Sequence, residues 1–197
     1  MLRGAEWPLL RELQVHLPAR LARMHHLTPE AITFTRGDID ALAACGALAQ
    51  LEVLDLTGVL GEELAGVLVD ALVRARPKLT RLVLNAGEIG NDALARLAKA
   101  GLLADLRELE LYRCKLKAKG FLALLDAQGP RALTRLVLAK NSATQPTITA
   151  LASWPGLATV ERLDLRELSL AAAQREALQA SSFLRPEALD ITTYDFW

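Results

Sequence analysis

The sequence predicts an α/β solenoid of about seven to eight repeats, with a curved parallel sheet on its concave side and helices on its convex side. Three observations predict it. A phrase of the form leucine-x-x-leucine-x-leucine returns at a nearly fixed interval, at Leu51-Leu54-Leu56, Leu79-Leu82-Leu84, Leu106-Leu109-Leu111, Leu133-Leu136-Leu138 and Val160-Leu163-Leu165. A repeat of that length marks units that bury their apolar faces only by stacking on one another. Within each unit the apolar pattern switches from period two to helical spacing, and glycine or proline then closes the unit, which reads as strand, turn, helix and return. Every return brings the chain back over the same side, so successive strands run parallel. Strands pack ~4.8 Å apart and helices ~8–10 Å apart, so a row of strands backed by a row of helices curves with the strands inside.

In chain order, weaker copies of the phrase open the series. Leu10-Leu13-Val15 comes first, and Pro29-Ile32-Phe34 stands between it and Leu51, both at shorter intervals than the rest. Asp38 is the expected cap of a helix over 39–44, ended by Gly46. The longest helix is predicted over 62–74, with Leu64, Val67, Leu68, Ala71 and Leu72 inward and Pro77 beyond its end. Asn91 and Asp92 offer an N-cap to a helix over 93–100 that Gly101 stops. In the unit from Leu106, the alternation around Leu109 and Leu111 is a short strand. Helical spacing follows, with Phe121, Leu124 and Leu125 on one face, and Gln128-Gly129-Pro130 halts it. Pro146 suits the first turn of the next helix, which Trp154-Pro155-Gly156 closes. Pro186-Leu189-Ile191, one further period beyond Val160, ends the series and brings the expected count to eight units. The chain divides into an irregular N-terminal repeat or cap (1–28), regular repeats (29–185), and a terminal strand with a C-terminal cap (186–197).

These residues resemble the leucine-rich repeat family, in its longer, helix-bearing, ribonuclease-inhibitor-like class. The family phrase L-x-x-L-x-L-x-x-N/C-x-L is matched in full from Leu106 to Leu116, with Cys114 at the asparagine/cysteine place. It is matched from Leu133 as far as Asn141, with Ala143 at the last position. The run from Gly90 to Ala98 also resembles the loop-into-helix opening of that class. The resemblance covers about residues 29 to 191 and implies a protein-binding module. It also implies that the asparagine/cysteine side chain satisfies backbone groups in the turn after the strand. Gly37, Val59, Gly87 and Leu168 hold that place in other units and cannot do so, so those turns are expected to use neighbouring backbone or water and to be less regular. Family cap domains are not apparent. Trp7 at the start, with Tyr194, Phe196 and Trp197 at the finish, are the expected covers of the core's ends; the alternative is an excerpt of a longer array.

On each strand the leucines point inward and the residues between them outward, giving three lanes across the concave face. The first runs Val53, Arg81, Glu108, Arg135, Arg162. The second runs Asp55, Val83, Glu110, Val137, Asp164, Asp190. The third runs Thr57, Asn85, Tyr112, Ala139, Arg166, Thr192. A recognition patch centred on Tyr112 would join Glu108 and Glu110 to the arginine flank of Arg135, Arg162 and Arg166, since tyrosine and arginine are enriched at binding hot spots. Val83 and Val137 are expected as uncovered apolar side chains on that face. The competing reading is that Arg81, Glu108 and Arg135 pair with one another across strands.

Composition narrows the function. Lysine plus arginine and aspartate plus glutamate both number 23, so no basic excess recommends a nucleic-acid or anionic-membrane partner. No apolar run reaches the ~18 residues of a membrane span, and the first residues lack a signal peptide's apolar stretch. Cys45 and Cys114 stand in different repeats, which fits a reducing compartment, the cytoplasm. Alanine-, leucine- and arginine-rich usage is that of a GC-rich bacterial source. His16, His25 and His26 have no ligand partners at metal spacing. Cys114 points among leucines, where a thiol is inert, and Cys45 reads as core on an apolar helix face. There is no phosphate loop, no nucleophile elbow and no carboxylate pair in a pocket. The expectation is a non-enzymatic protein-binding module without cofactor or metal, its partner another protein. Two alternatives are an activator of a small GTPase or other enzyme, acting through loop residues such as Asn85, Arg113 or Lys140, and a structural or targeting segment of a larger protein.

Overall fold

The computed structural model describes residues 10–16, 34–126 and 131–192. Trp7, His25, His26, the first residues of the Pro29 phrase, Gln128-Gly129-Pro130, and Tyr194, Phe196 and Trp197 lie outside them. The strands are β1 (Glu12–Gln14), β2 (Val53–Asp55), β3 (Arg81–Val83), β4 (Glu108–Glu110), β5 (Arg135–Val137), β6 (Arg162–Asp164) and β7 (Leu189–Asp190). They form one sheet in sequence order, every neighbouring pair parallel. Helices α1 (Arg36–Ala44), α2 (Glu62–Ala75), α3 (Gly90–Lys99), α4 (Ala118–Leu125), α5 (Gln145–Ala152) and α6 (Ala172–Gln179) alternate with the strands after β1.

Register follows the leucine phrase. Leu13, Leu54, Leu82, Leu109, Leu136, Leu163 and Leu189 sit side by side, one per strand. The five inner ones are fully buried, and the two at the sheet edges are half-buried. Each inner leucine contributes ~1.5–3 kcal/mol of apolar burial, and the ladder is the spine of an aliphatic core in which Phe121 is the largest fully buried side chain.

The sheet has seven strands where eight units were expected. Strand β1 pairs directly with β2, its register extended by Val15 N donating to Asp55 O at 2.7 Å and Glu52 N donating to Arg11 O at 2.8 Å. No strand from the Pro29 phrase stands between them. Thr35 and Asp38 form a capping box, Thr35 N donating to Asp38 Oδ2 at 2.8 Å and Asp38 N to Thr35 Oγ1 at 3.3 Å. That box starts α1 almost immediately after Phe34, whereas β2's Leu56 has the chain to residue 62 in which to turn. The helix cap is thus Thr35, with Asp38 its N3 partner rather than the cap itself.

Helix α2 matches its predicted span, but its buried face is rotated. Ala65, Leu68, Val69, Ala71 and Leu72 are buried, and Leu64 and Val67 lie on the half-buried flank. In α4, Phe121 and Leu124 are buried while Leu125 is half-buried. Cys45, expected in the core, follows the last residue of α1 and is exposed, its thiol donating to Leu42 O at 3.5 Å.

Asn91 does not cap α3. Its Oδ1 instead accepts from Lys117 N at 2.9 Å and Gly120 N at 3.0 Å, at the start of α4 one unit later, where Gly120 N also reaches Lys117 O at 2.9 Å. Lys117, the N-cap residue of α4, provides no side-chain oxygen, and the asparagine of the preceding unit takes that role. A Cβ on Gly120 would stand 2.7 Å from Asn91 Oδ1, so the glycine is what admits this cap.

The turns after the five inner strands share their first step whether or not asparagine is present, and two of them, at Lys115 and at Ser169 beside Leu168, add a second left-handed residue. Gly58, Ala86, Arg113, Lys140 and Glu167 occupy the same place in successive units, all left-handed with φ of 76°, 54°, 53°, 56° and 57°. Backbone of the next unit satisfies them: Gly58 N donates to Asn85 O at 2.7 Å, Ala86 N to Tyr112 O at 2.7 Å, Arg113 N to Ala139 O at 3.0 Å and Lys140 N to Arg166 O at 2.9 Å. The ladder therefore continues past the strand ends. Where the motif residue is present it adds to this. Asn141 Oδ1 accepts from Cys114 N and Leu116 N, both at 3.0 Å, and its Nδ2 donates to Leu111 O, Leu138 O and Ala139 O. Cys114 Sγ donates to Leu84 O at 3.1 Å.

Candidate functional site

The face of the sheet opposite the helices carries the three lanes in their expected registers. Val53, Arg81, Glu108, Arg135 and Arg162 are aligned, as are Asp55, Val83, Glu110, Val137, Asp164 and Asp190. Their exposures differ sharply. The first lane is open, with Arg162 exposed and the other four half-buried. The second is closed at four of its six positions: Val83 retains 2% of its surface, Val137 4%, Asp55 5% and Asp164 2%, while Glu110 and Asp190 are half-buried. Val83 and Val137 are therefore not the uncovered apolar patch expected of them. With strands ~4.8 Å apart, a β-branched side chain at mid-lane has a neighbour on either flank, and charged side chains are drawn together around it. In the third lane Ala139 is fully buried, Thr57, Asn85, Tyr112 and Arg166 are half-buried, and Thr192 is exposed.

The ion pairs of the strands fall into two clusters, the first balanced with two arginines and two glutamates, the second with one arginine between two aspartates. In the first, Arg81 lies 3.1 Å from Glu108 and 3.9 Å from Glu110, and Arg135 Nε donates to Glu110 Oε1 at 2.9 Å. Asn85 completes it, donating to Glu110 Oε2 at 3.0 Å and accepting from Tyr112 N at 2.8 Å. Arg81 Nε is buried without a well-aligned hydrogen bond, so its contact with Glu108 is coulombic. In the second cluster Arg166 Nε and a terminal nitrogen hold Asp164 at 2.9 and 2.6 Å, and Nε stands 3.5 Å from Asp190. Burial alone would raise the Asp190 pKa. The Thr192 hydroxyl and amide, with the charges of Arg166 and Arg162, outweigh it and hold that carboxyl below its usual range.

The second-lane aspartates also lock the chain as it leaves the sheet. Asp55 accepts from Thr57 N and Oγ1 at 3.1 and 2.7 Å, Asp190 accepts the same pair from Thr192, and Asp164 accepts from Arg166 N. This aspartate-x-threonine signature was readable in the sequence as a local turn lock. His16, weighed there only as a metal ligand, stands 3.0 Å from Asp55 and ties the edge strand to its neighbour.

Tyr112 sits where sequence reasoning placed it, between Asn85 and Ala139. Its environment was only partly foreseen. Lys140, from the turn of the next unit, reaches back to 6.0 Å from the Tyr112 ring centre and 2.8 Å from Glu167. The Glu167 hydrogen bond first, then Tyr112, raises the Lys140 pKa above its ordinary value. A lane count that stops at three residues per strand leaves Lys140 out of the patch, and sequence reasoning named it only as a loop residue of an enzyme activator. The repeated turn position, which also carries Arg113 and Glu167, is the signal that finds it.

Elsewhere, a depression of about 460 Å³ on the strand-to-helix edge is lined by residues including Glu88, Asn91, Arg96, Lys115 and Lys117. Lys115 pairs with Glu88 at 2.5 Å there, and Arg96 with Asp70. Cys114 is buried, and that burial pushes its thiol up to about 12. None of the described helices is long and apolar enough to cross a membrane. No protein-family model matches the chain, and no curated protein matches its sequence.

Proposed function

We propose that this chain is a leucine-rich-repeat protein of the helix-bearing class, acting in a reducing, cytoplasmic setting to bind another protein on the exposed face of its sheet, without catalysis. One observation carries the reading. The polar side chains of that face are already held in place before any partner arrives, Tyr112 by Lys140 beside its ring while its backbone amide is fixed on Asn85, Arg135 by Glu110, and Arg166 by Asp164. Ordering a long side chain on binding costs ~0.5–1.5 kcal/mol, so three held residues retain ~3 kcal/mol of affinity that a floppy surface would lose.

Size extends the footprint. Seven strands span ~29 Å, and five residues of each cover ~13 Å, so the sheet face alone offers ~400 Å². A standard interface takes ~800 Å² from each partner, which brings the turns bearing Arg113, Lys140 and Glu167 into the contact as well.

The test is capture from extract of the source cells on immobilised wild-type chain, on Tyr112→Ala/Arg135→Ala/Arg166→Ala, and on a helix-side control, Arg175→Ala/Glu176→Ala. A partner kept by the wild type and the control but lost by the triple variant supports the reading. Thermal melting verifies that the triple variant is folded, and Tyr112→Ala/Arg162→Glu repeats the test without unpairing a buried aspartate. Capture of the same partner by both sheet-face variants would sink it.

A further inference from the structure

On the sheet face and the strand-to-helix edge most cations hold a carboxylate: Arg81, Lys115, Lys119, Arg135, Lys140 and Arg166 are each within 4 Å of one. The opposite, helix-to-strand edge differs. Arg74, Arg76, Lys78, Lys99, Arg107 and Arg131 are all exposed, and among the described residues none of them has an ion-pair partner. Only Asp105 and Asp126 oppose them along this stretch.

These cations form one strip. Arg76, Lys78 and Asp105 line a shallow depression of about 160 Å³ together with Gly101 and Leu102. Arg107 N donates to Thr80 O at 2.8 Å, and Arg131 N to Ala104 O at 3.3 Å, which carries the strip across three successive return loops. The helix macrodipole accounts for part of it, since cations near helix C-termini are stabilising; Arg74 and Lys99 lie in the last turns of α2 and α3. It does not account for Lys78, Arg107 and Arg131, which lie in the returns beyond the helices. Arg76 is further marked. It closes α2 with a left-handed φ of 49°, where the return after α3 uses Gly101 at 76°.

We propose that this edge is a docking strip for a short acidic peptide segment of a partner protein, on a surface separate from the sheet face. Three return loops span ~10 Å on the strand side and ~16–20 Å on the helix side. An extended peptide rises ~3.3 Å per residue, so the strip seats ~3–6 residues. Nucleic acid fits it poorly. A duplex offers a phosphate every ~1.7 Å along a much longer lattice, while this chain has no net charge to attract it and places Asp105 within the strip.

Fluorescence anisotropy of a fluorescein-labelled decapeptide alternating glutamate and serine tests this on the full chain, beside a lysine–serine peptide, a 20-base-pair duplex and inorganic phosphate as competitor. The glutamate peptide binds alone, and its affinity falls about tenfold between 50 and 300 mM salt as screening shortens to a few ångströms. Arg76→Glu/Lys78→Glu abolishes binding, as does Lys99→Glu/Arg107→Glu, which guards against a folding defect in either. The Tyr112→Ala/Arg135→Ala/Arg166→Ala variant binds the peptide unchanged, so failure here leaves the sheet-face reading standing. Unaltered binding by both charge-reversal variants overturns the proposal, as does duplex binding as tight as the peptide's or displacement by phosphate at equal charge.

Discussion

Replacing Asn141 by alanine probes the turn geometry most directly. Its amide makes five hydrogen bonds, accepting from Cys114 N and Leu116 N and donating to the carbonyls of Leu111, Leu138 and Ala139. Each intramolecular bond is worth ~0.5–1.5 kcal/mol net, and a buried group left unpaired costs ~1–3 kcal/mol. Asn141 is half-buried, so water reaches some of the abandoned groups and the sum falls short of five full penalties; ~3–5 kcal/mol is the expected loss. Unfolding entropy near ~2.1 cal/mol/K per residue gives ~0.4 kcal/mol/K for a chain of this length, so Tm falls by ~10 °C. Calorimetry or a circular-dichroism melt reads it. Asn85→Ala is the reference, because Asn85 makes one bond to Tyr112 N and one to Glu110 and loses only ~1–2 kcal/mol. If Asn141→Ala lowers Tm by less than ~3 °C, or by no more than Asn85→Ala does, the asparagine is not what holds the turns.

A thiol reagent at neutral pH labels Cys45 in the folded chain and leaves Cys114 untouched until denaturant is added; two fast thiols in the native protein would contradict the burial of Cys114. The same thiol makes stability pH-dependent. With its pKa raised from 9.0 to about 12 on folding, Cys114 keeps its proton in the folded state while the unfolded chain loses it. Stability therefore falls above about pH 9 by up to ~1.4 kcal/mol per pH unit, and Cys114→Ala melts with a correspondingly shallower alkaline slope; parallel slopes would rule the linkage out. Gly120→Ala costs ~1–3 kcal/mol because its Cβ meets Asn91 Oδ1. Adding Asn91→Ala removes the clash, so in urea melts the double variant loses less than the two single losses combined.

The fold was legible because side-chain period and repeat length are properties of the sequence itself. The repeated phrase placed all seven described strands, the weaker copies at Leu10 and Pro186 included, and register followed once those strands were parallel neighbours. What failed was whatever depends on one unit meeting another. Asn91 looks like a cap for its own helix because N-caps are normally local; nothing in its neighbours announces that α4, a full repeat further along, lacks one. The Pro29 phrase has the apolar spacing of a strand, but most of it lies outside the described residues, and β1 and β2 pair directly. The site was half-legible for the same reason. The lanes were correct, yet the closure of Val83 and Val137 depends on how the charged residues around them are held. Arg135 reaches diagonally to Glu110 at 2.9 Å, a choice between two glutamates that lane position does not decide.

The bonds by which one unit reaches into the next are distributed unevenly, and this governs how the protein comes apart. Asn85, Asn91, Cys114 and Asn141 all bridge neighbours between β3 and β5. Toward the ends the side-chain bonds onto a neighbour's backbone thin to Thr80 Oγ1 on Glu52 O and Ser181 Oγ on Ala152 O, and the other links are ion pairs with at least one partner open to solvent, such as Arg11–Glu52, His16–Asp55 and Lys140–Glu167. A linear array's stability is the sum of unit energies and nearest-neighbour couplings, so strong couplings in the middle make the central three units a single cooperative block. The flanking units then open first, with hydrogen-exchange protection highest from about residue 82 to 138 and grading off toward β1 and β7. Any partner seated across the whole sheet would stabilise those outer units most, because they have the most order left to gain.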